Sequence, residues 1–295
     1  MTAAPHRRVS ANGIDFAYLE AGSGPLALCL HGYPDTAYTW RYLLPALAEA
    51  GYRAVAPFNR GYAPTSLADD GHYQSGVLGV DANALHEALG GDGDAVIIGH
   101  DYGALGAYAA ATLAPDRWRR VATAAVPPGP IVGQSIFTYE QLRASWYMYF
   151  QLTPFAEFAV AADDYEYVTK LWRDWSPGYD EVLDVDHFIA AMATPAHLTA
   201  ALDYYRQTLN FDLQDPELAD AQTGTLSIPP QPLLYLHGRN DGCMSPWAAE
   251  NAGSVLTVPG SRAEMIADAG HFVQLEQPDI VNRLILDFLR ARSVV

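Results

Sequence analysis

Short apolar runs bounded by turn formers alternate along this chain with longer stretches in which apolar positions recur every third or fourth residue. These are the periods of a strand and of a helix. RVSA and DFAYLE flank Asn12-Gly13 over residues 8–20, the pattern of a two-residue β-hairpin. LALCL (26–30) predicts a buried strand that runs into HGYPDT. Trp40, Leu43, Leu44 and Leu47 fall at helical spacing between about Tyr38 and Ala50, and Gly51 ends that helix. RAVAPF (53–58) is the next strand, RGYAPTS a polar loop and 77–90 a helix. The strand AVIIG (95–99), a helix over about Tyr102–Ala114 and the strand RVATAAV (120–126) follow, closed by Pro127-Pro128. Strands alternating with helices predict an α/β fold: a mostly parallel sheet covered on both faces.

The alternation stops there. Residues 131 to about 225 are aromatic-rich and read as successive helices without a strand. Strand–helix order resumes with PLLYLHG (232–238), AEMIAD (263–268) and a last helix over about 279–292. The expected organisation is a core domain of residues 1–130 and 226–295, interrupted by a helical lid of 131–225. Such an insertion should sit over the carboxyl ends of the strands, where open α/β sheets bind ligands. Gly22 and Gly24 precede a strand rather than open a helix, which argues against a dinucleotide fingerprint.

Composition narrows the partners. The chain has 295 residues, enough to bury a substantial core. Its formal net charge is −17, with Lys170 the sole lysine, so neither nucleic acid nor an anionic membrane is an expected partner. Cys29 and Cys243 read as small core-type residues rather than a disulfide framework. MTAAPHRRVSANG lacks the apolar core of a signal peptide, and no apolar run is long enough to span a bilayer. A cytoplasmic protein is expected, as a monomer or homodimer.

The chemistry gathers at strand ends. In IIGHDYGA (97–104) a Gly-x-Asp-x-Gly sits at a strand-to-helix turn, where many hydrolases keep a nucleophilic serine. His31-Gly32-Tyr33-Pro34 follows LALCL, Asp241 in HGRNDG follows the strand at 232–236, and His271 in DAGHF follows that at 263–267. Taken alone, Asp241 is a good turn former and His271 a plausible strand cap. Together, nucleophile, acid and histidine follow in the chain order of α/β-hydrolases. A buried histidine of this kind needs a carboxylate to set its tautomer. The other strand end able to supply one reads Val126-Pro127-Pro128-Gly129 and has none, which leaves Asp241.

Through HGYP, RGYAPTS, GHDYGA, HGRND and AGHFVQLEQP, nearly the whole chain resembles the α/β-hydrolase-fold epoxide hydrolases, sister to the haloalkane and haloacid dehalogenases. The resemblance implies that Asp101 attacks a saturated carbon. Serine there would leave an ether that water does not readily cleave, whereas a carboxylate leaves an ester that activated water can hydrolyse. His271, oriented by Asp241, would then activate that water. The resulting oxyanion would be held by the backbone N–H groups of Tyr102 and Tyr33, since Pro34 has none to give. No metal or cofactor is implied.

The leaving group separates the sister families. Halide sites use side-chain N–H donors such as Trp or Asn, where this chain has Tyr102 and Tyr33. Haloacid sites use arginines just after the nucleophile, where this chain has Tyr102, Gly103, Ala104 and Leu105. Epoxide hydrolases protonate the ring oxygen with two lid tyrosines. WYMYFQLTP resembles the segment carrying the first, at Tyr147, and DYYRQ the segment carrying the second, at Tyr205. Trp146, Phe150 and Phe155 are expected to shape an apolar substrate pocket. The implied substrate is a small apolar epoxide. A haloalkane dehalogenase is the alternative, and a catalytically silent ligand-binding homologue a more distant one. A serine esterase is disfavoured by the lack of a Gly-x-Ser-x-Gly turn.

Overall fold

The computed structural model describes residues 6–291, so the first five residues of the N-terminal stretch read above lie outside the described residues. The strands are β1 (Arg7–Ala11), β2 (Ile14–Gly22), β3 (Leu26–Leu30), β4 (Arg53–Pro57), β5 (Val96–His100), β6 (Arg120–Ala124), β7 (Leu233–Gly238) and β8 (Arg262–Ile266). They form one sheet in the order β1-β2-β4-β3-β5-β6-β7-β8. The β1–β2 hairpin turns through Asn12 and Gly13, both at positive φ (46° and 72°), as a type I′ turn requires. β2 lies antiparallel to β4, and every pairing from β4 to β8 is parallel.

Strand order reverses around β3. The chain leaves β3 for β4 on one side, then crosses back to place β5 on the other. The carboxyl ends of β3 and β5 therefore flank the crevice of a topological switch point. His31-Gly32-Tyr33 leaves β3 at that crevice and Asp101 leaves β5.

Alternate strand residues feed opposite faces. Ala27 and Cys29 of β3, with Val96 and Ile98 of β5, pack on one side. Leu26, Leu28 and Leu30, with Ile97, pack on the other, against Ala104, Ala107 and Tyr108. Both strands are buried along their whole length, as a doubly covered parallel sheet demands.

One expected helix is shorter than its periodicity suggests. Residues Ala37–Trp40 form a 3₁₀ turn and the α-helix begins only at Leu43. Pro45 has no N–H to bond backward, and its ring clashes with the carbonyl four residues earlier, so it is tolerated only in a first turn.

Between β6 and β7 the chain is entirely helical or loop, with helices at Gly129–Ser135, Tyr139–Ala144, Trp146–Phe150, Ala156–Trp175, Val182–Ala191, Pro195–Leu209 and Ala219–Gly224. Val160, Trp172, Trp175, Phe188 and Tyr204 from this insertion share one apolar cluster with the sheet. No described helix is long and apolar enough to cross a membrane.

The RGYAPTS loop is fixed from inside. Arg60 is fully buried and grips Asp81 of the helix Val77–Ala88 through two bonds of 2.6 Å, the bidentate geometry that makes such pairs strong. Its carbonyl accepts the Tyr204 hydroxyl at 3.0 Å, which ties the loop to the insertion. Arg60→Ala strands a buried carboxylate and is expected to lower stability by about 3–5 kcal/mol. Urea unfolding of the variant measures it, and a loss under about 1 kcal/mol counts against the pair as a structural tie.

Candidate active site

Asp101 sits at φ 52°, ψ −120°, a strained conformation for a residue with a Cβ. The close packing around it explains the sequence. A Cβ on Gly103 would collide with the Leu30 and His31 carbonyls, so only glycine lets the helix Tyr102–Leu113 approach β3 this closely. The sharp turn projects the Asp101 side chain toward the β3 loop, where Tyr33 N–H donates to Oδ1 at 2.9 Å. Tyr102 opens the following helix, so its N–H is among the first-turn donors without an intrahelical partner. His31 holds the donor loop in place. It is buried, and burial above all pulls its pKa down to about 4. The neutral ring accepts from Asn59 N–H through Nε2 at 2.9 Å and donates from Nδ1 to the Gly32 carbonyl at 2.8 Å.

Asp241 and His271 meet across the ends of β7 and β8. Asp241 Oδ2 lies 3.1 Å from His271 Nδ1, while Oδ1 accepts Cys243 N–H at 2.7 Å and Met244 N–H at 2.9 Å. The carboxylate is thus aimed by two backbone donors before it meets the imidazole. His271 Nε2 points the other way, 3.7 Å from Asp101 Oδ2, and has no hydrogen-bond partner. That gap is longer than a hydrogen bond, as is common before substrate tightens a site.

The electrostatics follow from burial and from three charges in contact. Burial alone would raise the Asp101 carboxyl. His271, His100 and the Tyr33 N–H outweigh it and hold Asp101 below its ordinary value. Asp241 is held low in the same way, by His271 and His237 against burial. Burial pulls the His271 imidazole down, but Asp241, Cys243 and Asp101 together carry it well above its ordinary value. The two carboxylates thus favour the protonated imidazole, and the imidazole favours both carboxylates in their charged form.

Sequence reasoning missed the groups that brace this arrangement. Glu276 accepts Gly270 N–H at 2.7 Å and Phe272 N–H at 3.1 Å, clamping the residues on either side of His271. The Trp175 carbonyl accepts His271 N–H at 3.0 Å and Gly242 N–H at 3.2 Å. A Cβ on Gly270 would meet that carbonyl, so the insertion is seated directly on the loops of both acid and histidine. The Glu276 signal was present in AGHFVQLEQP as a carboxylate five residues after His271. The Trp175 contact has no local signal.

A cavity of about 680 Å³ opens above Asp101. Tyr147 and Tyr205 both line it with Asp101, their rings packed edge to face at 5.7 Å. Tyr147 Oη lies 3.3 Å from Cys243 Sγ, and Tyr205 Oη is buried without a partner. Burial above all pushes both phenols well above their ordinary value, with Cys243 and Asp101 adding for Tyr147 and Tyr147 and Asp101 adding for Tyr205. Both remain protonated donors.

The expected pocket residues are elsewhere. Trp146 and Phe150, four residues apart on one short helix, flank Tyr167 with ring centroids at 5.8 and 6.0 Å. Phe155 is 69% exposed. None of the three lines the cavity, because the turn that brings Tyr147 and Met148 inward carries Trp146 and Phe150 to another face. The apolar wall is built instead by Val132, Ile136, Phe137, Met148, Leu209 and Phe211. Val132 and Ile136, and Tyr205 and Leu209, lie at helical spacing, which is the signal that could have found them.

Residues 25–278 match the family model described as alpha/beta hydrolase fold. The chain is 30% identical to Epoxide hydrolase A of Mycobacterium tuberculosis, covering 98% of each. It is 33% identical to an epoxide hydrolase of Caballeronia sordidicola over 97% of this chain and 94% of that one. Among solved structures, an epoxide hydrolase from an endophytic Streptomyces superposes with a TM-score of 0.78 at 28% identity, covering 98% of this chain and 96% of that chain. By that family model and these relatives, the chain belongs to the epoxide hydrolase family of the α/β-hydrolase fold.

Proposed function

We propose that this protein adds water to an apolar epoxide, giving a vicinal diol through an ester formed on Asp101. The observation that carries the reading is the shared setting of three side chains. Asp101, steadied by Tyr33 N–H, faces one cavity with two buried phenols. In the first half, an Asp101 oxygen attacks a ring carbon as the C–O bond breaks. Tyr147 or Tyr205 gives its proton to the departing oxygen, leaving a hydroxyl on the substrate and a transient phenolate. Alkylation makes Asp101 neutral and removes one of the charges that hold the His271 proton, which passes to the phenolate and restores the phenol.

In the second half, neutral His271 takes a proton from water, whose oxygen attacks the Asp101 carbonyl carbon. Negative charge develops on the Asp101 oxygen, which already accepts from the Tyr33 amide, with the Tyr102 amide at the start of the next helix as the second donor. As the ester C–O bond breaks, the imidazolium returns its proton to the second hydroxyl. The carboxylic acid left on Asp101 gives its proton to His271, which restores the starting charges of the site. Residues 131–225 act as the lid that carries both phenols, and residues 1–130 and 226–295 as the core that carries Asp101, Asp241 and His271. Free Cys29 and Cys243 and the acidic composition favour a reducing, cytoplasmic setting.

Haloalkane dehalogenation would use the same carboxylate and histidine but needs N–H donors for halide. Gln214 and Gln222 line the cavity, but each amide donates to a neighbour, Thr208 O and Ser75 Oγ, at 2.9 Å. The test offers the protein an aryl epoxide and a bromoalkane and assays diol and halide. Diol release supports the reading, and halide without diol overturns it. Tyr147→Phe and Tyr205→Phe should each lower kcat/KM for the epoxide about 10²-fold, and the double variant up to about 10⁴-fold. A double variant within tenfold of the parent would remove the phenols from the mechanism.

A further inference from the structure

We propose that Asp241, Cys243 and His271 form a binding site for a thiophilic divalent cation, Zn²⁺ or Cd²⁺, and that filling it switches hydrolysis off. One donor atom from each of the three side chains lies within 4.8 Å of the other two, and all three residues are buried. Carboxylate oxygen, thiol sulphur and imidazole nitrogen make a three-ligand set of the kind zinc takes with a fourth position open. The sulphur selects against Mg²⁺ and Ca²⁺, which prefer oxygen.

The outer shell is already in place. Asp241 Oδ1 is fixed by the Cys243 and Met244 amides. Tyr147 Oη stands 3.3 Å from Sγ, placed to donate to a metal-bound thiolate. Second-layer bonds of this sort orient ligands and raise affinity. Access exists as well: Cys243 lines the same cavity as Asp101, so an ion can arrive by the substrate's route and a cavity water can complete its shell.

No step of the hydrolytic cycle uses the thiol. On binding, the S–H bond breaks, the sulphur pair goes to the metal and the proton to solvent. The imidazole likewise binds neutral, so affinity rises with pH. An ion there disrupts the Asp241–His271 pair that sets up the water-activating base. The binding claim rests on the three donors alone, and the inhibition claim rests on the reading of His271 as that base.

The experiment titrates the full chain with Cd²⁺ and follows the ultraviolet thiolate-to-cadmium absorption. In parallel, diol release from an aryl epoxide is measured with Cd²⁺, Zn²⁺ or Mg²⁺, each variant against its own metal-free rate. Expected is a one-site absorption change with a loss of activity of at least about tenfold, reversed by EDTA and not produced by Mg²⁺. Cys243→Ala and Cys243→Ser should each weaken both effects at least about tenfold, since loss of even an outer-shell partner has an effect of that size. Cys29 is the only other thiol, so a band that survives in Cys243→Ala reports a different site and overturns the proposal. Undiminished inhibition of the Cys243 variants overturns it too. The absorption readout needs no turnover. A Cys243-dependent band in a protein that hydrolyses no epoxide would sink the epoxide reading and leave the metal site standing.

Discussion

Asp101→Asn is expected to abolish epoxide turnover, lowering kcat/KM by at least about four orders of magnitude. Asparagine is the informative replacement because it keeps the shape of the side chain and is the residue, after glycine, that best tolerates the positive φ of this turn. The amide can still accept the Tyr33 N–H, so the β3 loop keeps its contact. What is lost is the anionic oxygen that forms the ester, and with it any covalent adduct. Steady-state rates and intact-protein mass after incubation with an aryl epoxide measure both. Turnover within tenfold of the parent would mean that water attacks the epoxide directly and that the tight turn has another purpose. A single turnover in heavy-oxygen water separates the same alternatives: in the ester mechanism the solvent label enters Asp101 first, and the first diol carries oxygen from the carboxylate.

His271→Gln should divide the reaction in two. Alkylation of Asp101 does not need the base, so substrate is consumed once per protein molecule. Hydrolysis of the ester then falls by about 10²–10⁴-fold. The trapped adduct should add the full mass of the epoxide, because ring opening expels no fragment. A haloalkane would add its mass less hydrogen halide, so the same spectrum distinguishes the two chemistries. No adduct, with turnover intact, would contradict the assigned base.

The parent enzyme supplies the pH counterpart. His271 must be neutral to act, and Asp241 is the first of the groups that oppose burial and raise its pKa. Hydrolysis of the alkyl-enzyme should therefore rise with pH through the His271 pKa and level off. In Asp241→Asn that raising charge is gone, the pKa falls, and the rising limb moves to lower pH although the plateau drops. Single-turnover rates across pH read the shift; a limb that moves to higher pH would mean that Asp241 is not the charge that sets it.

Much of this machinery was legible from short-range patterns. The hairpin at Asn12-Gly13, the apolar strands and the turn at Asp101 all depend on residues adjacent in the chain. Asp241 and His271 were found because the fold places each function at its own strand end, so their order along the chain carries spatial meaning. Gly103 is required by the close approach of its helix to β3, and nothing adjacent in the chain says which strand that is. Pro45 shows the opposite case, in which a local residue shortens a helix that periodicity alone would have run further.

The pocket shows where local pattern stops. Trp146 and Phe150 are as apolar as Val132 and Phe137, and only the packing of several helices decides which aromatic faces the cavity and which faces Tyr167. Cys243 was read as an inert core residue because nothing nearby in sequence indicates that its sulphur meets Tyr147, 96 positions away. The amino-acid sequence by itself determined the α/β framework and the order of Asp101, Asp241 and His271 at successive strand ends, while Tyr147 and Tyr205 were picked out by the resemblance to the epoxide hydrolases. The framework is set by backbone periodicity, and the order by the way the fold puts each group at the end of its own strand. Tertiary structure alone decided the cavity wall, the bracing by Glu276 and Trp175, and the grouping of Cys243 with Asp241 and His271. These depend on side-chain direction across long sequence separations, where many residues of similar polarity compete for the same space.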